Sequence, residues 1–248
     1  VAAHIFRFFG QKNLASNTWS LNEDEVTHAL KVLRLSDGAL IEVMDGAGNL
    51  CAARLSIESK SKAHAVVMTE SFVAKDTVRR NIIVGALKPG DIDELIAPLV
   101  ELGVDRIIVF RQEDTPHFRV NDSSSERWER QVKAALKQSK RPWMVTVEAV
   151  DGLNAAIELV KDCSHKWVLS PEATGDFLAV ASSVTSVTGA VALVGGEKGL
   201  SPREESAASA AGFLPVKLGP WILRARTAAP AAAVFLGMLP RPHLNKNP

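Results

Sequence analysis

The 248 residues include no tyrosine and only two cysteines, Cys51 and Cys163. Without tyrosine, one possible acid, base or stacking group is unavailable. Two distant cysteines offer neither a disulfide framework nor thiolate-rich metal spacing, so a reducing, cytoplasmic home is expected. The six histidines (His4, His28, His64, His117, His165 and His243) are scattered rather than paired, and no metal site is expected. Long hydrophobic runs are missing too. "AAPAAAVFLGMLP" is too short and too broken by proline to span a bilayer, and no membrane association is expected. No basic segment precedes an apolar one at the start, so no secretory signal is visible. Because the first residue is Val1, an upstream targeting segment and an organellar home stay open. Charge of one sign is also lacking, the net charge being +1.

What is present is an ordinary globular composition, 46% hydrophobic and 23% charged. The first 72 residues read as a small β-barrel. "NEDEVTHALKVLRL" is expected to be a helix, with Asn22 as N-cap and Glu25 at the capping-box position. Short alternating runs follow, punctuated by Asp37-Gly38 and Asp45-Gly46, both read as hairpin signals. Residues 73–80 are polar enough for a linker.

From residue 81 to 242 the rhythm is strand and helix in turn, which argues for a parallel sheet covered on both faces. The strands are "NIIVGAL", "DRIIVF", "WMVTVEAV", "KWVLS", "AVALVGG" and "FLPVKLG". The helices include "GDIDELIAPLVELG", with Asp91 as expected cap, Pro98 inside and Gly103 at the stop, and the closing "RTAAPAAAVFLGML". Ser201-Pro202-Arg203-Glu204 is a strong helix start.

"VGGEKGLS" therefore joins a strand tip to a helix N-terminus, the place where open α/β sheets bind ligands. Its lysine precedes the last glycine, so it is no triphosphate-binding P-loop. A plain glycine turn remains the alternative. A second glycine-bearing strand end, "VKLGPWILRARTAA", favours a two-loop cradle. Residues 127–141 carry Arg127, Arg130, Lys133, Lys137, Lys140 and Arg141 on one helix side, with Glu129 as the one acid of the stretch. A solvated face and a phosphate-binding face are both open readings.

These motifs resemble those of the ribosomal RNA small subunit methyltransferase E family, in the SPOUT class. Val194, Gly195, Glu197, Gly199, Leu200 and Ser201 match its first glycine motif. Leu218, Gly219, Leu223, Arg224, Thr227 and Ala228 match its second. "VELGVDRIIVF", "KQSKRPWMVTV" and "HALKVLRLSDGALIEVMDGAGN" extend the similarity over nearly the whole chain. The departures are Gly196 for proline, Lys198 for glycine, Arg226 for an acid, Trp221 for a frequent arginine and Lys137 for glutamate.

The resemblance implies a PUA-like RNA-binding barrel followed by a trefoil-knotted parallel-sheet domain. It also implies a homodimer, with S-adenosylmethionine as cofactor and N3 of a uridine in 16S-type ribosomal RNA, or the small ribosomal subunit, as substrate. Leu169, Val194, Gly195, Gly196, Glu197, Gly199, Leu200, Leu218, Gly219, Ile222, Leu223, Thr227 and Ala228 are then expected to hold the cofactor. Arg224, with Arg226 as auxiliary, would stabilise charge on the uracil. Arg34, Arg127, Arg130, Lys133, Lys137 and Arg141 are expected to meet RNA. A catalytically divergent RNA-binding relative, or a methyltransferase for another RNA, is the alternative.

Overall fold

The computed structural model describes residues 5–240, so His4, His243 and residues 241–242 of the expected second domain lie outside the described residues. The chain divides into two compact units. One is the chain up to Lys75 with Leu136–Met144; the other is Asp76–Ala135 with the chain from Val145 on.

The first unit is a closed barrel. Its strands are β1 (Phe6–Asn13), β2 (Thr18–Leu21), β3 (Leu40–Met44), β4 (Asn49–Ser59) and β5 (Lys62–Phe72), in the order β1-β2-β5-β4-β3. A parallel β1–β3 pairing, Phe6↔Ile41 to Phe9↔Met44, closes the ring and leaves no open edge. Alternation along β4 turns Cys51, Ala53 and Leu55 inward. There they join Phe8, Trp19, Val26 and Ile41 in the core. Helix α1 (Glu23–Thr27) runs on into a π-helical turn, His28–Val32. Asn22 caps it as expected, accepting from the Glu25 amide at 2.8 Å. The Glu25 carboxylate does not complete a capping box; it accepts from Lys137 at 2.8 and 3.0 Å.

Asp45-Gly46 does form a hairpin turn between β3 and β4. Gly46 and Gly48 take φ of 78° and 95°, and Asp45 accepts from the Ala47 and Asn49 amides. Asp37-Gly38 is not a hairpin; it joins the helical segment to β3, with Asp37 accepting from the Ile57 amide. "WMVTVEAV" is also split. Trp143 and Met144 bond to the Gly46–Gly48 turn, and β8 begins only at Thr146.

The second unit holds β6 (Arg79–Gly85), β7 (Arg106–Phe110), β8 (Thr146–Val150), β9 (His165–Leu169), β10 (Gly189–Val194) and β11 (Leu214–Val216). They form one sheet, order β11-β9-β10-β6-β7-β8, with every pairing parallel. β6 starts at Arg79 and buries Arg80, with Val78 buried just ahead of it, so the last two residues of the expected linker belong to the sheet. The two central strands, β6 and β10, are buried along nearly their whole length, as a sheet covered on both faces requires.

Helices α2 (Pro89–Glu101), α5 (Phe177–Ser182) and α7 (Ala225–Met238) pack together, α7 lying on β6 and β10. Helices α4 (Leu153–Glu158) and α6 (Pro202–Ala210) pack with each other, and Ala156, Ala208, Ile83, Val191 and Leu193 share one core with them. Helix α3 (Asp122–Ser139) is the basic one. Pro89 opens α2 without a side-chain cap, so Asp91 lies within its first turn instead of capping it. Gly103, at φ 93°, ends α2 in a Schellman motif, with the Val104 amide on the Leu99 carbonyl and Gly103 on Val100. The sequence pattern missed α5, which is short and capped by Asp176. Among the described residues no helix is long and apolar enough to cross a membrane.

Both thiols are buried. Burial, and then the Glu70 charge, push the Cys51 thiol up to about 11; burial likewise raises Cys163. A raised thiol pKa lowers the thiolate fraction at any pH beneath it. Neither cysteine should therefore react with a chromogenic disulfide reagent at about pH 8 in native protein, and both should react in denaturant. Rapid native labelling of either would contradict the burial.

Candidate functional site

The tips of β6, β9, β10 and β11 open onto one pocket of about 1080 Å³, at the upper end of what small-ligand sites need. It lies where the strand order reverses. β6, β7 and β8 step one way from the centre, while β10, β9 and β11 extend the other.

The β10 tip is the tightest part. Gly196 to Gly199 form a turn closed by the Gly199 amide on the Gly196 carbonyl at 3.2 Å, with Gly199 at φ 78°. A Cβ on Gly195 would lie 2.6 Å from the Gly199 carbonyl carbon. A glycine at 195 is thus demanded because the chain doubles back on itself here, whatever it binds. Ser201 then starts α6 with a complete capping box: its hydroxyl accepts from the Glu204 amide at 3.2 Å, and the Glu204 carboxylate accepts from the Ser201 amide at 2.8 Å.

A residue not singled out by the motifs ties this loop down. Gln112, just past β7 and 3% exposed, accepts from the Gly196 amide at 2.8 Å. It donates to the Gly199 carbonyl at 2.8 Å and to Glu204 at 3.1 Å. To get there it passes over the end of β6, at Gly85, where a Cβ would meet the Gln112 side chain and, at 2.5 Å, the Gly196 nitrogen. Glu204, 6% exposed, also accepts from the Glu113 amide. Gly196 stands where the resemblance expects proline, and its N–H is the group that Gln112 engages; proline would have none to give.

Of the residues expected to hold a cofactor, Leu169, Val194, Gly195, Gly196, Glu197, Gly199, Leu218, Gly219, Ile222, Leu223 and Ala228 line this pocket. Two do not. Leu200 turns toward the core shared by α4 and α6, and Thr227 sits exposed on the first turn of α7. Leu87, Lys88, Asp91, Ser170, Lys198 and Trp221 join the lining. Trp221 and Ile222 are 80% and 83% exposed, an apolar rim without cover in the single chain.

The two arginines differ. Arg224 is the N-cap residue of α7, its carbonyl accepting from the Thr227 and Ala228 amides; its side chain is exposed at the pocket and forms no ion pair among the described residues. Arg226 lies 3.4 Å from Asp91 and 3.3 Å from Glu94, both on α2. The charge reversal at 226 is thus matched by two carboxylates.

The basic face of α3 is less open than its sequence suggests, because its cations pair with acids, two of them distant in sequence and one on the helix itself. Arg127 pairs with Asp93 at 2.9 Å, Lys133 with Glu129 at 2.6 Å, and Lys137, 18% exposed, with Glu25. Arg130 is exposed and Arg141 half-buried. Arg34 is exposed too and holds φ 53°, a left-handed conformation unusual for a residue with a Cβ.

A closed barrel ahead of an all-parallel sheet with its pocket at the strand tips is the architecture of SPOUT-class methyltransferases. Residues 75–237 match the RNA methyltransferase domain family, and residues 21–68 match the RNA methyltransferase PUA domain. Ribosomal RNA small subunit methyltransferase E from Synechocystis is 28% identical over 90% of this chain and 73% of its own length. The protein of that name from Mycobacterium tuberculosis is 29% identical over 87% of this chain and 84% of its own. The crystal structure of the Neisseria gonorrhoeae enzyme bound to S-adenosyl methionine superposes with a TM-score of 0.80 at 28% identity, covering 93% of this chain and 95% of that one. A Legionella pneumophila methyltransferase shares the fold at a TM-score of 0.84 and 20% identity, covering 95% of this chain and 98% of that one. This chain belongs to the ribosomal RNA small subunit methyltransferase E family.

Gly195→Ala should leave the sheet folded by circular dichroism yet weaken ligand binding by about tenfold or more, since the new methyl displaces the turn. Titration calorimetry with S-adenosylmethionine reads the effect. Wild-type affinity in the variant would mean that the turn does not shape the pocket.

Proposed function

We propose that this protein is an S-adenosylmethionine-dependent methyltransferase acting on N3 of a uridine in small-subunit ribosomal RNA, as a cytoplasmic homodimer. The observation that carries the reading is the meeting of two glycine-bearing strand tips, at Gly195–Gly199 and Leu218–Leu223, around one pocket beside the Arg224 guanidinium. The names of the relatives, and the cofactor named for the Neisseria structure, support it.

The site's residues fit the cofactor. Where glycine lacks a side chain, backbone N–H and C=O groups approach a flat polar ligand closely. Val194, Leu169 and Leu218 supply apolar walls. The bound cofactor supplies an activated methyl group on a sulfonium. The protein's part is to align the acceptor and to manage charge. Uridine N3 carries a proton in its neutral form, and losing it leaves negative charge on the uracil oxygens. Arg224 lines the pocket and forms no ion pair with a carboxylate among the described residues, so it has the chemistry to stabilise that charge. It stands at the N-terminus of the 14-residue α7, whose dipole has the same sign of effect. Arg226, held by Asp91 and Glu94, is suited instead to bracing the first turn of α7 against α2. A base inside a duplex is out of reach of such a pocket, so the target belongs to a loop or single-stranded segment. Trp221, Ile222 and the exposed Val234 and Met238 of α7 are apolar groups that a second copy would cover.

Arg224→Ala should lower the methyl-transfer rate by about 10²-fold or more, with Arg226→Ala costing distinctly less. Equal losses would remove the distinction between them. Mass mapping of modified uridines in ribosomal RNA from a deletion strain tests the reaction itself. An unchanged pattern would instead favour a non-catalytic RNA-binding role, or another RNA if a transfer RNA uridine were lost.

Arg34→Gly separates stability from binding. Relieving the left-handed backbone should stabilise the barrel by about 1 kcal/mol in thermal unfolding. Removal of the guanidinium should weaken RNA binding and flatten its salt dependence. Unchanged RNA affinity would take Arg34 out of the interface.

A further inference from the structure

We infer that Gln112 is the positioning residue of the cofactor loop, holding the Gly196–Gly199 turn in its binding geometry from a neighbouring strand tip; the inference rests on the proposed cofactor reading. Its amide is matched to two opposite needs. The carbonyl oxygen takes the Gly196 N–H, and the NH₂ gives to the Gly199 carbonyl and to the Glu204 carboxylate. Both ends of the turn, and the cap of the helix that follows, are thereby fixed by one buried side chain that lies outside the pocket lining. Gly85 and Gly196 are both shaped around it, since a Cβ on either would strike the Gln112 amide oxygen. Removing the side chain leaves a buried amide, a carbonyl and a carboxylate short of partners, and the turn must move to find water.

The chemistry provides a discriminating variant. In Gln112→Glu, one carboxyl oxygen can still accept from Gly196. The other must donate to Gly199 or to Glu204, which only the protonated acid can do, its single O–H serving one of them at a time. Two carboxyl groups so close share a proton, and ionising the second sets like charges against each other.

The experiment uses the full chain, with S-adenosylmethionine titrated calorimetrically from about pH 5.5 to 8.5 and amide hydrogen exchange followed without ligand. Gln112→Ala should bind about tenfold or more weakly at every pH, while kcat at saturating cofactor falls only about threefold or less. Gln112→Glu should approach wild-type affinity at the acid end and lose it progressively as pH rises, relative to wild type at each pH. In both variants amide exchange over Gly195–Ser201 should accelerate, selectively for Gln112→Glu at high pH, with the strands unchanged. Wild-type exchange in the loop of Gln112→Ala, or a Gln112→Glu affinity that tracks wild type across the pH range, overturns the inference. If wild type binds no S-adenosylmethionine but loop exchange responds as stated, the positioning role stands and the cofactor assignment fails.

Discussion

The β10 tip can double back only because nothing fills the space it turns through. Gly195 meets the backbone of Gly199, while Gly85 and Gly196 leave the volume that the Gln112 side chain occupies. The side chains of the turn itself offer only exposed ion pairs, Glu197 with Lys88 and Lys198 with Asp114, which contribute little. The turn's order comes from hydrogen bonds supplied by β7's extension and by the capping box of α6. The pocket wall is therefore rigid for a reason external to the pocket. That is how a backbone-lined site keeps its geometry without ligand, with little ordering left for binding to cost.

Charge in the protein follows the same rule of partners drawn from elsewhere. Arg226 and Lys137 both reverse the sign that the family resemblance leads one to expect, and each faces carboxylates from distant sequence: Asp91 and Glu94 for the first, Glu25 for the second. The exposed Arg226 contacts contribute little stability individually, whereas the Lys137–Glu25 pair is mostly shielded and bonds through both carboxylate oxygens. Arg224 is left as the pocket arginine without a carboxylate among the described residues, and the different roles proposed for the two arginines rest on that difference.

Much of this architecture was legible in the residues. Asn22, Ser201-Pro202-Arg203-Glu204, Gly103 and Asp45-Gly46 each take their local conformation in the structure as read, because capping and turn chemistry act over three or four residues. The parallel sheet was legible in the alternation of strands and helices from residue 81 on. The errors are equally physical. Asp37-Gly38 has the dipeptide of a hairpin turn but joins a helical turn to a strand. Trp143 and Met144 carry strand-like side chains yet pair with the Gly46–Gly48 turn. Leu200 sits in a glycine motif but packs into the core.

The sequence by itself determined most of the elements, the Asn22 and Ser201 caps and the two glycine-bearing tips, since steric limits on φ and ψ and hydrophobic period operate between near neighbours. Only the tertiary structure decided that Gln112 serves the loop, that Arg226 is neutralised and that the basic face of α3 is largely paired. The first depends on β7, β6 and β10 lying side by side, the second on α2 and α7 packing together, and the third on Asp93 and Glu25 reaching α3; none of these adjacencies is written in the spacing of residues along the chain.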